Sequence, residues 1–312
     1  MPRQRESDPR KSVLAALMAN TAIAIAKFVA AMISGSTSML AEAFHSVADT
    51  GNQALLLFGL KSSQKPPDEE HPFGHGKARF FWGLLVAVSL FTVGGGFSIW
   101  QGVHGLISGE HELPSATVAL IVIAVAICFE AYAWRTAWRQ LDATRRGRGV
   151  WAALRHSKDP EVLTVLAEDT AAISGLLVAA AGISLASITG EPAFDAAGSI
   201  IIGLILLAVA FLLGRENAAL LLGEAVDPQV RRSIEQAIRS VDEVENLIEL
   251  LTMHLGPDEF LVVADVGFRE DLDTEDIAKA IDRVEAAIRK AEAGAVRIYV
   301  EPEIRFREEA PR

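Results

Sequence analysis

The stretch Ala41–Gln53, AEAFHSVADTGNQ, decides how the rest of the sequence is interpreted. It lies within a long apolar segment at 38–60. Side chains four residues apart share one face of a helix, so His45 and Asp49 project together, with Glu42 one turn earlier. Ionisable groups at membrane depth are costly and usually mark an ion path. An imidazole with a carboxylate suits a divalent cation such as zinc, although a polar pair that packs two helices would give the same pattern.

Composition divides the chain into an apolar part and an acidic part. Hydrophobic residues make up 51% of the sequence, and they come in the long blocks that membrane-spanning helices require. Residues 224–312 carry 22 acidic and 12 basic side chains, whereas residues 1–223 carry 18 and 17. We therefore predict a transmembrane transport domain at 1–223 and an acidic cytoplasmic domain at 224–312. The acidic charge excludes nucleic acid as an expected partner and is compatible with collecting cations.

Six membrane-spanning helices are predicted from the apolar runs, which places membrane lipid around the first domain. They are roughly Val13–Ile33, Met39–Leu60, Phe80–Ile107, Ala116–Trp138, Glu161–Ile188 and Phe194–Leu213. The N-terminus and the second and fourth loops contain lysine and arginine, whereas the first, third and fifth loops contain neither. Positive charge concentrates on the cytoplasmic side, so we expect a multi-pass protein of the plasma (inner) membrane with both termini cytoplasmic.

The segment after Gly223 has the pattern of a small α+β domain. The predicted elements are a helix at Asp227–Val241, strands at Asn246–His254 and Glu259–Phe268, a helix capped by Thr274 and ending near Ala291, and a last strand at Val296–Val300. This αββαβ order predicts a sheet covered on one face by two helices.

Three of the predicted spans carry polar side chains at a similar depth. Counted from the nearest cytoplasmic lysine, Asp49 lies about 18 Å deep, Asp169 about 17 Å and Asn20 about 14 Å. The predicted membrane metal site consists of His45, Asp49 and Asp169. Glu168 or Asn20 supplies a further oxygen ligand. Glu168 and Asp169 point about 100° apart on a helix, so both need not face inward, and Asp169 is the preferred ligand.

A second candidate metal cluster lies in the first cytoplasmic loop, in the sequence DEEHPFGHGK at 68–77. Asp68, His71 and His75 supply a carboxylate and two imidazoles within eight residues. Two glycines in the same stretch allow tight backbone turns. The alternative is a structural hinge, but the flanking acids and the nearby membrane site favour metal contact or capture.

Several motifs together resemble the cation diffusion facilitator family, in the branch that contains the mitochondrial zinc transporter of animals. They are AEAFHSVADTGNQALL, PDEEHPFGHGKARF, LAEDTAAISGLL, ITGEPAFDAAGS and ALLLGEAV, in the order of the family. The resemblance implies a homodimer of six-helix protomers with cytoplasmic αββαβ domains, which exports a divalent cation in exchange for protons. It also implies transport residues at His45, Asp49, Asp169 and Glu168, and a loop metal site at Asp68, His71 and His75.

Two departures from the family pattern bear on the metal. Many bacterial zinc exporters of the family have a histidine and an aspartate four residues apart in the fifth span, but this chain has Asp169 and Ile173. An oxygen-richer site weakens the preference for zinc over manganese, iron or cobalt. The acidic domain also lacks a histidine-rich cluster, since its one histidine, His254, is expected to be structural.

We therefore predict a zinc-selective or related divalent cation exporter that works by alternating access with proton antiport and has no resident cofactor. His45 is the expected proton switch, because its unperturbed pKa is about 6.5. The alternatives are a passive ion channel and a membrane scaffold whose acidic tail recruits a partner. An enzyme is not expected, since neither an HExxH motif nor a nucleophile elbow occurs in the sequence.

Overall fold

A computed structural model describes residues 9–108, 115–144 and 160–303 of the chain. Part of the basic N-terminus, at 1–8, and most of the fourth loop, at 145–159, lie outside the described residues. Within them the chain forms two compact units. The first unit comprises residues 9–59 and 81–217, and the second comprises residues 60–80 and 218–303. The second unit thus includes the loop with the candidate histidine cluster, which the sequence prediction assigned to the transmembrane domain.

The first unit is built from helices. These are α1 (Pro9–Ser34), α2 (Thr37–Ser63), α3 (Ala78–Ser89), a π-helical segment (Leu90–Gly96), α4 (Phe97–Ser108), α5 (Ala116–Thr144), α6 (Pro160–Thr189) and α7 (Ala193–Leu222). Each predicted span falls within one of these helices, except the third, which runs through α3, the π-helical segment and α4. The π-helical segment ends in three glycines.

Four described helical segments are long and apolar enough to cross a membrane. They are Ala78–Ile107, Ala116–Arg139, Leu166–Thr189 and Ala193–Leu222. A shorter apolar segment, Asn20–Ser34, belongs to α1. Helix α2 is absent from this set because buried polar residues such as Glu42 and His45 interrupt its apolar sequence.

The helices of the first unit pack through small residues. Alanines and glycines fill much of its interior around a few large side chains such as Met39, Leu176 and Leu206. A Cβ atom at Gly203 would lie 2.8 Å from the carbonyl oxygen of Gly95, so α7 and the π-helical segment approach at backbone distance. Close approach through small residues is how helices associate where lipid removes the hydrophobic driving force.

The C-terminal part of the second unit has the predicted αββαβ order. Its elements are α8 (Pro228–Arg239), β1 (Val244–Gly256), β2 (Glu259–Phe268), α9 (Thr274–Ala291) and β3 (Ala295–Pro302). The strand order is β1-β2-β3, with β1 antiparallel and β3 parallel to β2. One boundary prediction is wrong: the N-cap of α9 is Asp273, whose carboxylate accepts from the Asp276 N–H at 2.9 Å, and Thr274 is already helical.

Both helices of this domain cover the same face of the sheet. Ile234 and Ile238 of α8 and Ile288 of α9 are fully buried and join Val262 and Ala264 of the central strand in one core. The strong amphipathic pattern of both helices explains this burial. The sheet is therefore covered on one face by two helices, as the sequence predicted.

Candidate metal centre

Helix α2 carries a stripe of buried and half-buried polar side chains that have few partners. Glu42, His45, Ser46, Asp49 and Asn52 recur at three- and four-residue intervals and therefore lie along one side of the helix. Among the described residues, the buried side-chain nitrogen and oxygen atoms without a hydrogen-bond partner are Glu42 Oε1, His45 Nδ1 and Nε2, Ser46 Oγ, Asp49 Oδ1, Asn52 Oδ1, Asp169 Oδ2 and His254 Nδ1. All but two of these atoms belong to α2. Buried polar groups are normally satisfied, so such a concentration indicates a site for something that binds there.

A small cavity opens beside this stripe. Its volume of about 40 Å³ exceeds the space that one water molecule needs. Its polar lining comes from α1, α2, α5 and α6 and consists of Asn20, Ser46, Asp49, Gln53, Glu130, Glu168 and Asp169. Four carboxyl groups thus surround one cavity among apolar helices, an arrangement suited to a cation.

The structure brings together the residues that the depth argument selected. Asn20, Asp49 and Asp169 line the same cavity from three helices. Glu168 lines it as well, and its Oε1 accepts a long hydrogen bond of 3.5 Å from Asn52 Nδ2. Both acids of the Glu168–Asp169 pair therefore face inward, although the sequence argument required only one of them to do so.

His45 lies next to the cavity instead of in its lining. Its Nε2 is 3.4 Å from Asp49 Oδ2, and its side chain is only 1% exposed. The predicted shared face of His45 and Asp49 is thus observed. In the part of the chain that the structure describes, the acids and histidines of this cavity are more widely spaced than in a preformed metal site. No three of them have ligand atoms that all lie within 4.8 Å of one another. A metal bound by several of them would require these ligand atoms to move closer together.

Sequence reasoning missed two ionisable groups of this region. Glu130 of α5 lines the cavity, and Lys27 of α1 forms a buried ion pair with Glu42 at 3.0 Å. Each is a lone charge in an apolar run, AICFEAYA and AIAIAKFVA, and that signal could have identified both. Depth counting was applied only to Asn20, His45, Asp49 and Asp169, so it could not identify them.

Asp195, at the start of α7, is a buried acid of a different kind. It is only 3% exposed, and it accepts hydrogen bonds from Ser36, Thr37 and Ser38 at the start of α2. The Thr37 N–H donates to its Oδ2 at 2.6 Å, and the Ser36 hydroxyl donates to its Oδ1 at 2.8 Å. Asp195 therefore caps α2 from another helix, a role that sequence reasoning did not assign to it.

The loop cluster in the second unit is compact. Its ligand atoms all lie within 4.8 Å of one another. Within the described ranges, it is the one group of three acids or histidines that meets this distance, and it consists of Asp68, His71 and His75. His75 Nε2 is 2.8 Å from Asp68 Oδ2, and His71 Nδ1 is 3.5 Å from Asp68 Oδ1. The hydrogen bond with His75 and that from the His71 N–H hold the pKa of Asp68 at about 2. The carboxylate is therefore charged at neutral pH.

The two glycines of this loop have different reasons to be glycine. Gly74 has φ of +89°, in the left-handed region, as the tight-turn prediction requires. Gly76 has an ordinary φ, but a Cβ atom there would collide with the carbonyl oxygen of Leu255. The loop backbone therefore lies directly against the end of β1.

His254 is the one histidine of the sheet domain. Burial lowers the pKa of its imidazole, and its Nδ1 has no hydrogen-bond partner. It stands near the end of β1, with its ring centroid 6.3 Å from that of Phe260. It belongs to none of the compact acid and histidine groups found among the described residues, and its structural role stays a prediction.

Four apolar helical segments of membrane-spanning length among the described residues are typical of a multi-pass integral membrane protein. Residues 13–222 match the cation efflux transmembrane domain, and the chain belongs to the cation diffusion facilitator family. This confirms the resemblance drawn from the sequence motifs.

The chain is similar to several proteins whose names refer to different metals. It is 33% identical over 280 residues to metal tolerance protein C4 of Arabidopsis thaliana, covering 89% of this chain and 61% of that protein. It is 32% identical over 262 residues to the mitochondrial proton-coupled zinc antiporter SLC30A9 of Homo sapiens, covering 83% of this chain and 46% of that protein. It is 26% identical over 247 residues to the manganese efflux system protein MneP of Bacillus subtilis, covering 79% of this chain and 80% of that protein. The chain thus spans 61% and 46% of the length of the first two relatives.

Proposed function

We propose that this protein exports a divalent metal cation, with zinc as the first candidate, in exchange for protons. The observation that carries the proposal is the cavity lined by Asp49, Glu168 and Asp169 beside the unpartnered imidazole of His45. Membership of the cation diffusion facilitator family supports it. A dication placed among these carboxylates offsets their desolvation, which no neutral ligand can do.

Proton exchange follows from the chemistry of the same ligands. Carboxylates and a neutral imidazole bind metal only when they are deprotonated, so protons and metal compete for one set of atoms. A cation taken up from the cytoplasm would bind Asp49 and Asp169 with His45. Opening toward the other side would let protons displace it. Alternating access would expose the same ligands first to the cytoplasm and then to the other side.

Among the candidate ligands of the cavity site, His45 alone offers nitrogen, which favours zinc over harder metals. The remaining candidate ligands, Asn20, Asp49, Glu168 and Asp169, offer oxygen, which also suits manganese, iron or cobalt. One relative is named a zinc antiporter and another a manganese efflux protein, so both metals belong in the test. We propose a manganese, iron or cobalt exporter of the same mechanism as the second candidate.

The proposed architecture is a homodimer of six-span protomers in the plasma (inner) membrane, with both termini cytoplasmic. Helices α1, α2, α5, α6 and α7 would each cross once, and α3 with α4 once together. The uncovered face of the sheet supports self-association, since Leu251 and Tyr299 on it are 54% and 53% exposed. The proposed division into a transport domain at 1–223 and a cytoplasmic domain at 224–312 goes with this topology. The Asp68, His71 and His75 cluster would capture metal.

Flux into proteoliposomes with imposed pH gradients tests the proposal. Zinc and manganese should each accumulate when the far side is acidic, with zinc preferred. His45→Asp should shift the preference toward manganese by about tenfold, because it leaves an oxygen-only site. Glu191→Gln, which changes an exposed acid between α6 and α7, is the matched control and should behave as wild type. Flux that follows only the metal gradient would indicate a channel, and absence of flux a scaffold.

A further inference from the structure

Lys27 and Glu42 form an ion pair inside the helical unit. Lys27 Nζ of α1 donates to Glu42 Oε2 of α2 at 3.0 Å, and neither side chain is exposed. Lys27 is the one buried lysine or arginine in the part of the chain that the structure describes. Removing two charges from water costs more than such a pair usually returns, so its presence calls for a reason beyond stability.

The Glu42 carboxylate is only half satisfied by this pair. Its Oε1 is buried and has no hydrogen-bond partner. Oε1 points at Gly175 of α6, where a Cβ atom would collide with it. The carboxylate therefore reaches from α2 to both α1 and α6 and keeps one oxygen free.

His45 adds a second free ligand on the same face. It follows Glu42 by three residues, so the two side chains are neighbours along α2. Both nitrogens of its ring are buried without a hydrogen-bond partner. On its other side, His45 Nε2 is 3.4 Å from Asp49 Oδ2, which borders the cavity. An imidazole that makes no hydrogen bond thus stands between the cavity acids and the Lys27–Glu42 pair.

We propose that Glu42 and His45 form a second cation site, one helical turn beyond the cavity, which the ammonium group of Lys27 occupies when no metal is there. The proposal rests on the transport function proposed above and adds a second binding site to the path of the cation. A lysine ammonium is a positive charge on a flexible stem, so it can fill a cation site and still withdraw.

The tethered charge has a definite use in transport. A dication held by Glu42 and His45 in a dry site would leave slowly, and conduction needs sites that release as well as bind. Lys27 competes with the metal for Glu42, so its return speeds release. When the site is empty, Lys27 also compensates the charge of Glu42.

Cobalt binding to the full-length protein in lipid nanodiscs tests this without depending on transport. Lys27→Met should bind Co²⁺ at least about tenfold more tightly than wild type, because the competing charge is gone and a carboxylate is freed. At a Co²⁺ concentration that leaves Glu42 of the wild type paired with Lys27, the visible absorption spectrum of the variant should also differ from that of wild type, because Glu42 of the variant then enters the coordination sphere. Lys27→Arg is the matched control that keeps the charge, and Lys27→Met with Glu42→Gln should return both affinity and spectrum to those of wild type.

Other outcomes overturn the second site. Tighter binding with an unchanged spectrum would mean that Lys27 acts through its charge alone, and wild-type affinity in Lys27→Met would mean that it does not compete with metal. If Lys27→Met folds only poorly, zinc added during purification should restore the folded protein, and failure of zinc to do so overturns the proposal. The two proposals can fail separately. If the wild-type protein transports no metal but the variants show the expected differences in cobalt affinity and spectrum, the proposed function is contradicted and the second site is supported.

Discussion

Helix α2 has an aspartate of another helix beside its beginning and an aspartate of its own in its middle, but only the first has its carboxylate satisfied by hydrogen bonds. At the beginning, Asp195 accepts hydrogen bonds from three consecutive residues, 36–38. In the middle, Asp49 lies near other carboxyl groups, and its Oδ1 has no hydrogen-bond partner. The buried Asp195 and the half-buried Asp49 therefore have opposite surroundings.

The difference separates a structural acid from a functional one. A carboxylate with a full set of donors stabilises the fold and has no capacity left for a ligand. A carboxylate near other acids without donors is unfavourable in the empty protein and gains most when a cation arrives. We therefore expect substitutions at the two positions to have opposite effects on stability and on transport.

Asp49→Asn should have the largest effect on transport. Loss of a first ligand is expected to reduce flux by at least about 100-fold, since even outer partners of a metal site contribute 10- to 100-fold. The protein should remain at least as stable as wild type, because neighbouring acids repel one another less. Proteoliposome zinc flux and thermal unfolding check this, with Glu191→Gln as control. Normal flux from the folded variant would remove Asp49 from the site.

Asp195→Asn should have the largest effect on stability. The amide leaves several buried donors of residues 36–38 with weaker or missing acceptors, which should cost about 2–4 kcal/mol of the free energy of unfolding. A lower midpoint of thermal unfolding in the same detergent would report it. Asp49→Asn is the paired control. A variant at position 195 that is as stable as wild type but does not transport would reverse the comparison.

His75→Ala, in the loop cluster, should have the smallest effect. This cluster is exposed and preassembled, so it can capture metal without burying it. The substitution removes one of three ligands, and it also removes the main cause of the low pKa of Asp68. Zinc flux at limiting metal should fall by about two- to fivefold and recover at saturating metal. Loss of flux at every zinc concentration would show that the loop acts in the transport step itself.

The comparison of acids also shows where reasoning from sequence stopped. Periodicity identified His45 and Asp49 as neighbours, and depth counting selected Asn20 and Asp169, because helix geometry is regular enough to be counted. Glu130 and Lys27 were missed, although each is a lone charge in an apolar run. Whether such a residue faces a cavity, a partner or lipid depends on how its helix is rotated against neighbours distant in sequence.

The sequence by itself determined the helical and αββαβ elements, the family, the loop cluster and the stripe on α2. These follow from periodicity, turn residues and spacing, all of which act over a few residues. Only the tertiary structure decided that Glu168 and Asp169 face the same cavity, that Lys27 pairs with Glu42, and that Asp195 caps α2. Each of these contacts joins residues on different helices, and their formation depends on helix packing, which no local pattern encodes.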